Sequence, residues 1–436
     1  MNWILRVLLS AAVTMMAAMT IQAQGQAPGG APAGAAPAGQ GQSAPAQPAA
    51  PATGPFTVTV VPPVHGTLQL TPPLPADGKY AKGTVVTLKA TPEKGYAVDS
   101  AWYSVPGRFG QMYHETMSPE FAVTIDQDKR VGASFIEQDA VAQVNVTQDV
   151  VYAKPGVKAL KYDVFSPKGA RNLPLIIIIH GGGWTANDQK IMRGLARELT
   201  KGGKFVVFSM DYRWAGKEDG DAKGNTMADL IDDVFGGIAH IMEHAKEYGG
   251  DPTRIGVTGD SAGGHLAAVA SLMPNMIGSR GFGKTPGVFE YMPSYLPKGK
   301  TAEQVRGEMM SAIKAAAPSY GVFSATRLNA YSDDPAADAS WKAGVAPQEH
   351  VPAATERAVP QFLTRGTKDQ LIADKDVKDF TDALVTAGQR AEYIQVGGAA
   401  HAFFDWKPDD RTEATFAKYG TYYAAAMKTF FESVLY

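Results

Sequence analysis

Residues 254–270 read Arg-Ile-Gly-Val-Thr-Gly-Asp-Ser-Ala-Gly-Gly-His-Leu-Ala-Ala-Val-Ala, a short apolar run, a glycine-rich turn and a second apolar run. This order predicts a β-strand, a sharp turn at Ser261 and a helix. Glycines two residues before and after Ser261 let the strand and the helix pass without Cβ clashes, so the serine hydroxyl can stand clear of the sheet. The N-terminus of the following helix favours negative charge that develops there. Ser261 is therefore the predicted nucleophile.

A second glycine-rich turn lies upstream, where Ile176–Ile179 run into His180-Gly181-Gly182-Gly183-Trp184. Consecutive isoleucines predict a buried strand, and glycines at its carboxyl end can aim bare backbone N–H groups at a reacting carbonyl oxygen. A phosphate-binding loop is the alternative interpretation, but neither G-x-x-x-x-G-K-[ST] nor G-x-G-x-x-G with a ribose-binding acid is present. The sequence therefore favours an oxyanion-binding turn.

Together these two motifs resemble those of the hormone-sensitive-lipase-like esterases, especially the bacterial carbohydrate and feruloyl esterase branch, over residues 140–436. The resemblance implies an α/β-hydrolase fold, a mostly parallel sheet flanked by helices. It also implies that the N–H groups of Gly182, Gly183 and Ala262 form an oxyanion hole. His180 would brace the loop, and Asp211-Tyr212-Arg213 would serve the structure of the segment before the helix that leads to the turn.

The remaining catalytic residues are predicted from chain order, which in this fold is serine, acid, histidine. Of the 8 histidines, only His350 and His401 follow the nucleophile outside the turn and its helix. His401 directly follows a predicted strand through a flexible loop, as a loop-borne base should, whereas His350 does not. Asp369 follows the preceding predicted strand in a Gly-x-x-Asp turn and is the predicted acid, with Asp374 as the alternative.

Residues 139–436, the α/β domain, alternate between apolar runs and amphipathic stretches, which predicts a parallel sheet covered by helices. The clearest helix is predicted over 226–248, where apolar residues recur at helical spacing. The predicted strands are Leu175–Ile179, Phe205–Met210, Arg254–Thr258, Lys314–Pro318, Gln361–Thr364 and Glu392–Val396.

The N-terminal part divides into three predicted segments. Residues 1–23 carry Arg6, an apolar run and small residues near Ala23, which predict a cleaved signal peptide and export to the periplasm or the medium; a membrane anchor is the alternative. Residues 24–55 are rich in Ala, Pro, Gly and Gln and predict a disordered linker. Residues 56–138, the β module, contain alternating strands separated by Gly and Pro turns.

The β module resembles the divergent InlB-type B-repeat through the run Gly83 to Pro92, followed by Gly95-Tyr96 and Trp102. Its aromatic residues predict either contacts to a polymer or another surface, or the core of a spacer, and buried aromatics are common in small β cores. The aromatics in question are Tyr80, Tyr96, Trp102 and Tyr103.

Composition limits the chemistry and the partners. Lys plus Arg number 41 and Asp plus Glu 43, mixed along the chain, which gives no electrostatic case for nucleic acid or for a membrane after signal removal. The chain has 0 Cys, which excludes disulfides and thiolate chemistry. No H-E-x-x-H or other close ligand cluster appears, so neither a metal nor a cofactor is expected. The oligomeric state stays open.

An aromatic-rich insertion over 271–310 is expected to shape the substrate pocket, although packing within the insertion is the alternative. Trp184, Tyr212 and Trp214 are predicted substrate contacts, with Trp341 as a further aromatic wall. The resemblance, the export signal and the β module predict a secreted serine esterase that acts on acetyl or feruloyl esters of polysaccharide. The alternatives are a general short-chain carboxylesterase, lipase or polyester hydrolase, and a serine peptidase of the same fold. The insertion's aromatics are Phe282, Phe289, Tyr291 and Tyr295.

Overall fold

The computed structural model describes residues 53–107, 110–279, 282, 288–328 and 339–436. The predicted signal peptide and residues 24–52 of the predicted linker lie outside the described residues, as do parts of the predicted insertion.

The β module contains two β-sheets in which most neighbouring strands are antiparallel. One has five strands in the order β3-β1-β8-β5-β6, and the other has three in the order β2-β4-β7. Burial alternates along β1, where Phe56 and Val58 are buried and Thr57 and Thr59 are exposed, as the period of a half-buried strand requires. The strands are β1 (Phe56–Val60), β2 (Gly66–Thr71), β3 (Lys79–Tyr80), β4 (Val85–Pro92), β5 (Tyr96–Gly107), β6 (Gly110–Thr116), β7 (Glu120–Thr124) and β8 (Lys129–Glu137).

The aromatic residues of the β module are largely engaged in packing. Tyr80 and Trp102 are buried, and a Cβ at Gly132 would lie 2.2 Å from the Trp102 ring. Tyr96 stacks on His65 with ring centroids 4.1 Å apart. These contacts favour the core interpretation of the aromatics over the binding one.

The α/β domain is built on an eight-stranded sheet in the order β16-β15-β14-β13-β11-β12-β10-β9. The six predicted strands are confirmed as β11 to β16, and each neighbouring pair among them is parallel. Two further strands, β9 and β10, pair antiparallel to complete the edge. The strands are β9 (Val144–Ala153), β10 (Leu160–Pro167), β11 (Leu173–Ile179), β12 (Val206–Met210), β13 (Gly250–Asp260), β14 (Ile313–Ser319), β15 (Gln361–Gly366) and β16 (Ala391–Val396).

The helices cover this sheet. The predicted helix over 226–248 is confirmed as an 18-residue α-helix followed by a 3₁₀ turn, Ala245–Tyr248. A reciprocal capping box between Thr226 and Asp229 starts it. The α-helices are α1 (Gln138–Val141), α2 (Arg193–Thr200), α3 (Met227–His244), α4 (Ala262–Leu272), α5 (Ala302–Ala312), α6 (Ala325–Leu328), α7 (Ala339–Gly344), α8 (Asp374–Thr386), α9 (Asp410–Thr415) and α10 (Thr421–Leu435).

The central strand β11 explains where the site lies. Residues Ile176–Ile179 are fully buried, and β12 and β13 flank the strand on its two sides. The carboxyl ends of the parallel strands share one edge of the sheet, and ligand sites form at that edge in open α/β sheets. Among the helices of the described residues, none combines the length and the apolar character that a bilayer crossing requires.

Three aromatic residues of the predicted insertion, Phe282, Phe289 and Tyr291, pack against one another. The Tyr291 hydroxyl donates to the Gly344 carbonyl at 2.7 Å, and Phe282 stacks on Tyr291 with centroids 5.0 Å apart. Phe289 and Trp341 contact the Phe282 ring, with centroids 5.2 and 5.9 Å away. These contacts favour the packing alternative for the aromatics of the insertion.

Candidate active site

Ser261 lies in a strained turn between β13 and α4. Its backbone has φ +52° and ψ −116°, values that an L-residue adopts at a cost. A Cβ at Gly259 would lie 2.4 Å from the Gly263 carbonyl oxygen, and a Cβ at Gly263 would lie 2.0 Å from the Ile179 carbonyl oxygen. The glycines of this turn are therefore required by close backbone approach, and the Ser261 N–H donates to the Ser319 carbonyl at 2.9 Å.

Ser261, His401 and Asp369 form a continuous hydrogen-bond chain. Ser261 Oγ lies 2.9 Å from His401 Nε2, and His401 Nδ1 lies 2.8 Å from Asp369 Oδ2. In the neutral tautomer that suits these contacts, Nδ1–H donates to the carboxylate and Nε2 accepts from the serine hydroxyl. The structure thus brings together the three residues predicted as nucleophile, base and acid. The alternative acid, Asp374, instead accepts from Tyr393 Oη at 2.7 Å.

The environment of Asp369 keeps its carboxylate charged. Burial raises its pKa, but the hydrogen bond and the charge of His401 outweigh burial, so the pKa lies below its ordinary value. Oδ1 also accepts from the backbone N–H groups of Leu371 and Ile372, both at 2.9 Å. Ser261, at the other end of the hydrogen-bond chain, is half-buried.

The predicted oxyanion residues present unused donors. Gly182 and Gly183 have φ +121° and +59°, the region that favours glycine. Within the described residues, the backbone N–H groups of Gly182, Gly183 and Ala262 donate to no other protein group. The Gly181 N–H donates to Asp260 Oδ1 at 2.6 Å, and Asn187 Nδ2 donates to the Gly181 carbonyl at 3.3 Å. These two hydrogen bonds stabilise the turn.

His180 and Tyr212 support this turn from the interior. His180 is fully buried, with Nε2 3.1 Å from Asp211 Oδ1, and its ring stacks on Tyr212 with centroids 4.4 Å apart. The Tyr212 hydroxyl donates to the His180 carbonyl at 2.8 Å. The prediction that Tyr212 contacts substrate is therefore wrong. The Tyr212 ring is fully buried, and its hydroxyl is hydrogen-bonded to the backbone of the turn.

The two predicted tryptophan contacts differ in exposure. Trp184 is only 4% exposed, and its Nε1 donates to His265 Nδ1 at 3.3 Å. Trp214 is half-buried, donates to the Asn187 carbonyl at 2.9 Å, and lines a cavity of about 210 Å³ together with Tyr113 and other residues. Trp214 is thus the better placed of the two to meet a ligand. A larger cavity of about 770 Å³ lies beside α5 and the start of β13, and no member of the Ser261–His401–Asp369 chain lines either cavity.

Three residues close to the catalytic chain escaped the sequence-based prediction. Asp260, inside the quoted turn, and Asp405, four residues after His401, are buried carboxyls whose charges interact. Burial raises the pKa of both carboxyls, and the charge of Asp405 raises the pKa of Asp260 further. Tyr320, at φ +34°, places its ring 4.8 Å from that of His401. No periodicity or motif signals Asp405 or Tyr320, since each reaches the site through long-range packing. In the described part of the chain, no cluster of three or more His, Asp or Glu has the geometry to hold a metal.

Comparisons with known proteins agree with both resemblances. The BD-FAE family matches residues 162–384, more than half of the chain, and this range includes Ser261 and Asp369 but ends before His401. The divergent InlB B-repeat domain matches residues 56–139.

Individual relatives are more distant. The probable carboxylic ester hydrolase LipM of Mycobacterium tuberculosis is 28% identical over 246 residues, 53% of this chain and 49% of the relative. Carboxylesterase NlhH of the same species is 36% identical over 124 residues, 28% of this chain and 37% of the relative. The chain thus spans about half or less of the length of these two relatives.

Among solved structures, Thermogutta terrifontis esterase 2 phosphorylated by paraoxon is 24% identical with a TM-score of 0.47, covering 63% of this chain and 91% of that one. The extent of the family match decides the assignment: this chain belongs to the hormone-sensitive-lipase-like BD-FAE family, and a divergent InlB B-repeat domain precedes its α/β-hydrolase domain.

Proposed function

We propose that this protein is a carboxylic ester hydrolase that works through an acyl-enzyme on Ser261. The observation that carries the proposal is the hydrogen-bond chain from Ser261 Oγ through His401 to Asp369, at 2.9 and 2.8 Å. A nucleophile, a base and an orienting acid in contact are the arrangement that acyl transfer needs. The names of the curated relatives, carboxylic ester hydrolase and carboxylesterase, support the same reaction class.

In the proposed reaction, His401 Nε2 takes the Ser261 proton as Oγ attacks the ester carbonyl carbon. The charge that develops on the carbonyl oxygen is met by the N–H groups of Gly182, Gly183 and Ala262, which have no other protein partner in the described residues. Asp369 holds the tautomer and stabilises the imidazolium. The imidazolium then protonates the leaving alkoxide, and a water activated by His401 hydrolyses the acyl-enzyme to acid and free serine.

For the substrate, we propose an acetyl or feruloyl ester carried by a polysaccharide. The family match and the accompanying B-repeat domain support it, together with the predicted export signal. A general short-chain carboxylesterase, lipase or polyester hydrolase is the alternative within the same reaction class.

The experiment is a substrate panel with matched serine variants. p-Nitrophenyl acetate, longer acyl esters, methyl ferulate, acetylated xylan and a peptide amide are compared for wild type, Ser261→Ala and Ser311→Ala. Ser261→Ala should lower kcat about 10⁵–10⁶-fold because the nucleophile is lost. Ser311, exposed on α5, should be replaceable without effect. Full turnover by Ser261→Ala would end the proposal, and a clear preference for the peptide would assign a peptidase instead.

Export is a separate part of the proposal. Cleavage near Ala23 would leave a mature chain that begins with the predicted linker. Fractionation followed by mass spectrometry of the N-terminus checks this prediction. Recovery of the uncleaved chain in the membrane fraction would instead support the anchor alternative.

A further inference from the structure

A buried carboxylate of the β module, that of Asp99, contacts the α/β domain. In β5 the neighbouring residues Val98 and Ser100 pair with Phe135 and Ser134 of β8, and the register shifts between them. Asp99 is therefore the extra residue of a β-bulge, a feature that redirects a side chain away from the regular pleat. It is 2% exposed, and its carboxylate reaches helix α2 of the α/β domain.

Asp99 is the centre of a charge-balanced cluster. Arg193 Nη2 donates to Asp99 Oδ2 at 2.9 Å, and Arg197 Nη1 pairs with Asp99 Oδ1. Arg193 also pairs with Glu115 of β6, with Nη2 2.8 Å from Oε2, so two carboxylates face two guanidiniums. Burial raises the pKa of Asp99, but the two arginines outweigh burial and hold the pKa far below its ordinary value. Buried, paired charges with several hydrogen bonds fix a geometry because any displacement leaves a charge unmatched.

The same carboxylate binds Trp406 of the α/β domain. Trp406 Nε1 donates to Asp99 Oδ2 at 2.9 Å, and the Arg197 guanidinium lies 4.8 Å from the Trp406 ring centroid. The Trp406 N–H donates to the Ile191 carbonyl at 2.9 Å. A Cβ at Gly194 would lie 2.8 Å from the Trp406 ring. The indole is thus held between α2 and the β module.

Trp406 ends the segment that begins with His401. Between them, Phe403 and Phe404 are fully buried, and each packs its ring on Tyr320 with centroids 5.4 Å apart. Tyr320 in turn lies 4.8 Å from the His401 ring. A short segment packed along its length transmits a displacement of one end to the other because buried side chains have little room to adjust.

We infer that the B-repeat domain positions the catalytic base: Asp99 fixes Trp406, and Trp406 fixes the segment that presents His401 to Ser261. The inference rests on the proposed function. Asp99 and Trp406 are positioning residues, since neither touches the reacting atoms. The β module is then part of the enzyme's working structure rather than a detachable spacer.

The test compares two tryptophan-to-phenylalanine variants of the full chain. Trp406→Phe removes the hydrogen bond to Asp99, whereas Trp102→Phe makes the same chemical change in the β module, where Nε1 has no hydrogen-bond partner among the described residues. Trp406→Phe should lower kcat for p-nitrophenyl acetate about tenfold with KM unchanged, because a small misplacement of a catalytic group slows the chemical step. Inactivation of Ser261 by a fluorophosphonate should slow by the same factor. Trp102→Phe should leave both rates at the wild-type value.

A second pair covers the case in which Trp406→Phe fails to fold. Asp99→Asn and Glu115→Gln each remove one negative charge from the same cluster, but only Asp99 contacts Trp406. A lower kcat in Asp99→Asn than in Glu115→Gln supports positioning, and equal kcat values overturn it. Full kcat in Trp406→Phe also overturns it, provided that Ser261→Ala is inactive in the same assay. Full activity of Ser261→Ala would instead reject the proposed function, and the inference with it.

Discussion

The two domains of this protein are stabilised in different ways. The α/β domain has one continuous apolar core in which the central strand residues Ile176–Ile179 are fully buried. The β module has two small clusters, one around Val86 and Leu88 and one of three alanines. Small domains bury a smaller fraction of their apolar surface and need further support. Here that support comes from ion pairs between Asp99 of the β module and two arginines of the α/β domain.

One carboxylate from each domain shows a related difference in its electrostatic environment. Asp99 faces two guanidiniums and stays ionised, whereas Asp232 of α3 accepts one backbone hydrogen bond, from the Met292 N–H at 2.8 Å, and lies near Asp229 and Asp233. Burial, with these two neighbouring carboxylates, raises the pKa of Asp232 to about 8. The ion pairs at the domain boundary thus keep Asp99 charged, whereas Asp232 has no such ion-pair partner among the described residues to lower its pKa.

The largest expected effect tests the catalytic role of Asp369 in the α/β domain. Asp369→Asn should lower kcat about 10³–10⁴-fold, because an amide at this position favours the wrong tautomer of the base. Steady-state kinetics with p-nitrophenyl acetate measure the effect. Asp374→Asn, five residues later, is the matched control, since Asp374 contacts Tyr393 and Gln395 rather than His401. Comparable losses in the two variants would contradict the assignment of Asp369.

The sequence was sufficient for the local features of the α/β domain. Six strands and helix α3 followed from apolar runs and helical spacing, since each is encoded within a few neighbouring residues. The approach of Ser261, Asp369 and His401 followed from chain order together with the rule that strand ends share one edge. The antiparallel strands β9 and β10 were not predicted individually, because no turn motif marks them.

Features that depend on contacts between residues far apart in the sequence could not be predicted. The exposure of Tyr212 is decided by contact with His180, 32 residues away, so an aromatic beside a strand end was mistaken for a substrate contact. The contact between Asp99 and Trp406 joins residues 307 positions apart, and neither residue belongs to a motif. Local sequence specifies a bulge or a loop only weakly, and it says nothing about which partner the redirected side chain meets.

The second prediction tests whether the ion pairs of Arg193 stabilise the β module. Arg193→Met leaves Asp99 and Glu115 buried without this partner, which should lower the free energy of unfolding by about 3–5 kcal/mol. Chemical denaturation followed by tryptophan fluorescence measures the loss. Since the damage is at the domain boundary, the β module should unfold in a separate, earlier transition.

Arg390→Met is the control for the arginine change itself. Arg390 pairs with Glu392 on the surface, with side chains 48% and 44% exposed, and exposed pairs contribute about 0–1 kcal/mol. A loss in Arg193→Met no larger than that in Arg390→Met would show that the charged contact does not stabilise the β module.

The smallest effect concerns the sign of the pH dependence. The folded-state pKa of Asp232, about 8, lies above the ordinary value of 3.8, so its contribution to stability is present in full below pH 4 and is lost as the pH rises toward 8. Asp232→Asn mimics the protonated acid and should escape this loss. Its stability relative to wild type should rise by about 1–2 kcal/mol between pH 6 and pH 8, below the full linkage value because the side chain is only half-buried. Asp99, whose pKa is lowered, must behave in the opposite way and lose its contribution only in acid. Denaturation of wild type and Asp232→Asn across this range therefore separates Asp232 from Asp99, and a stability difference that does not change with pH would remove the distinction.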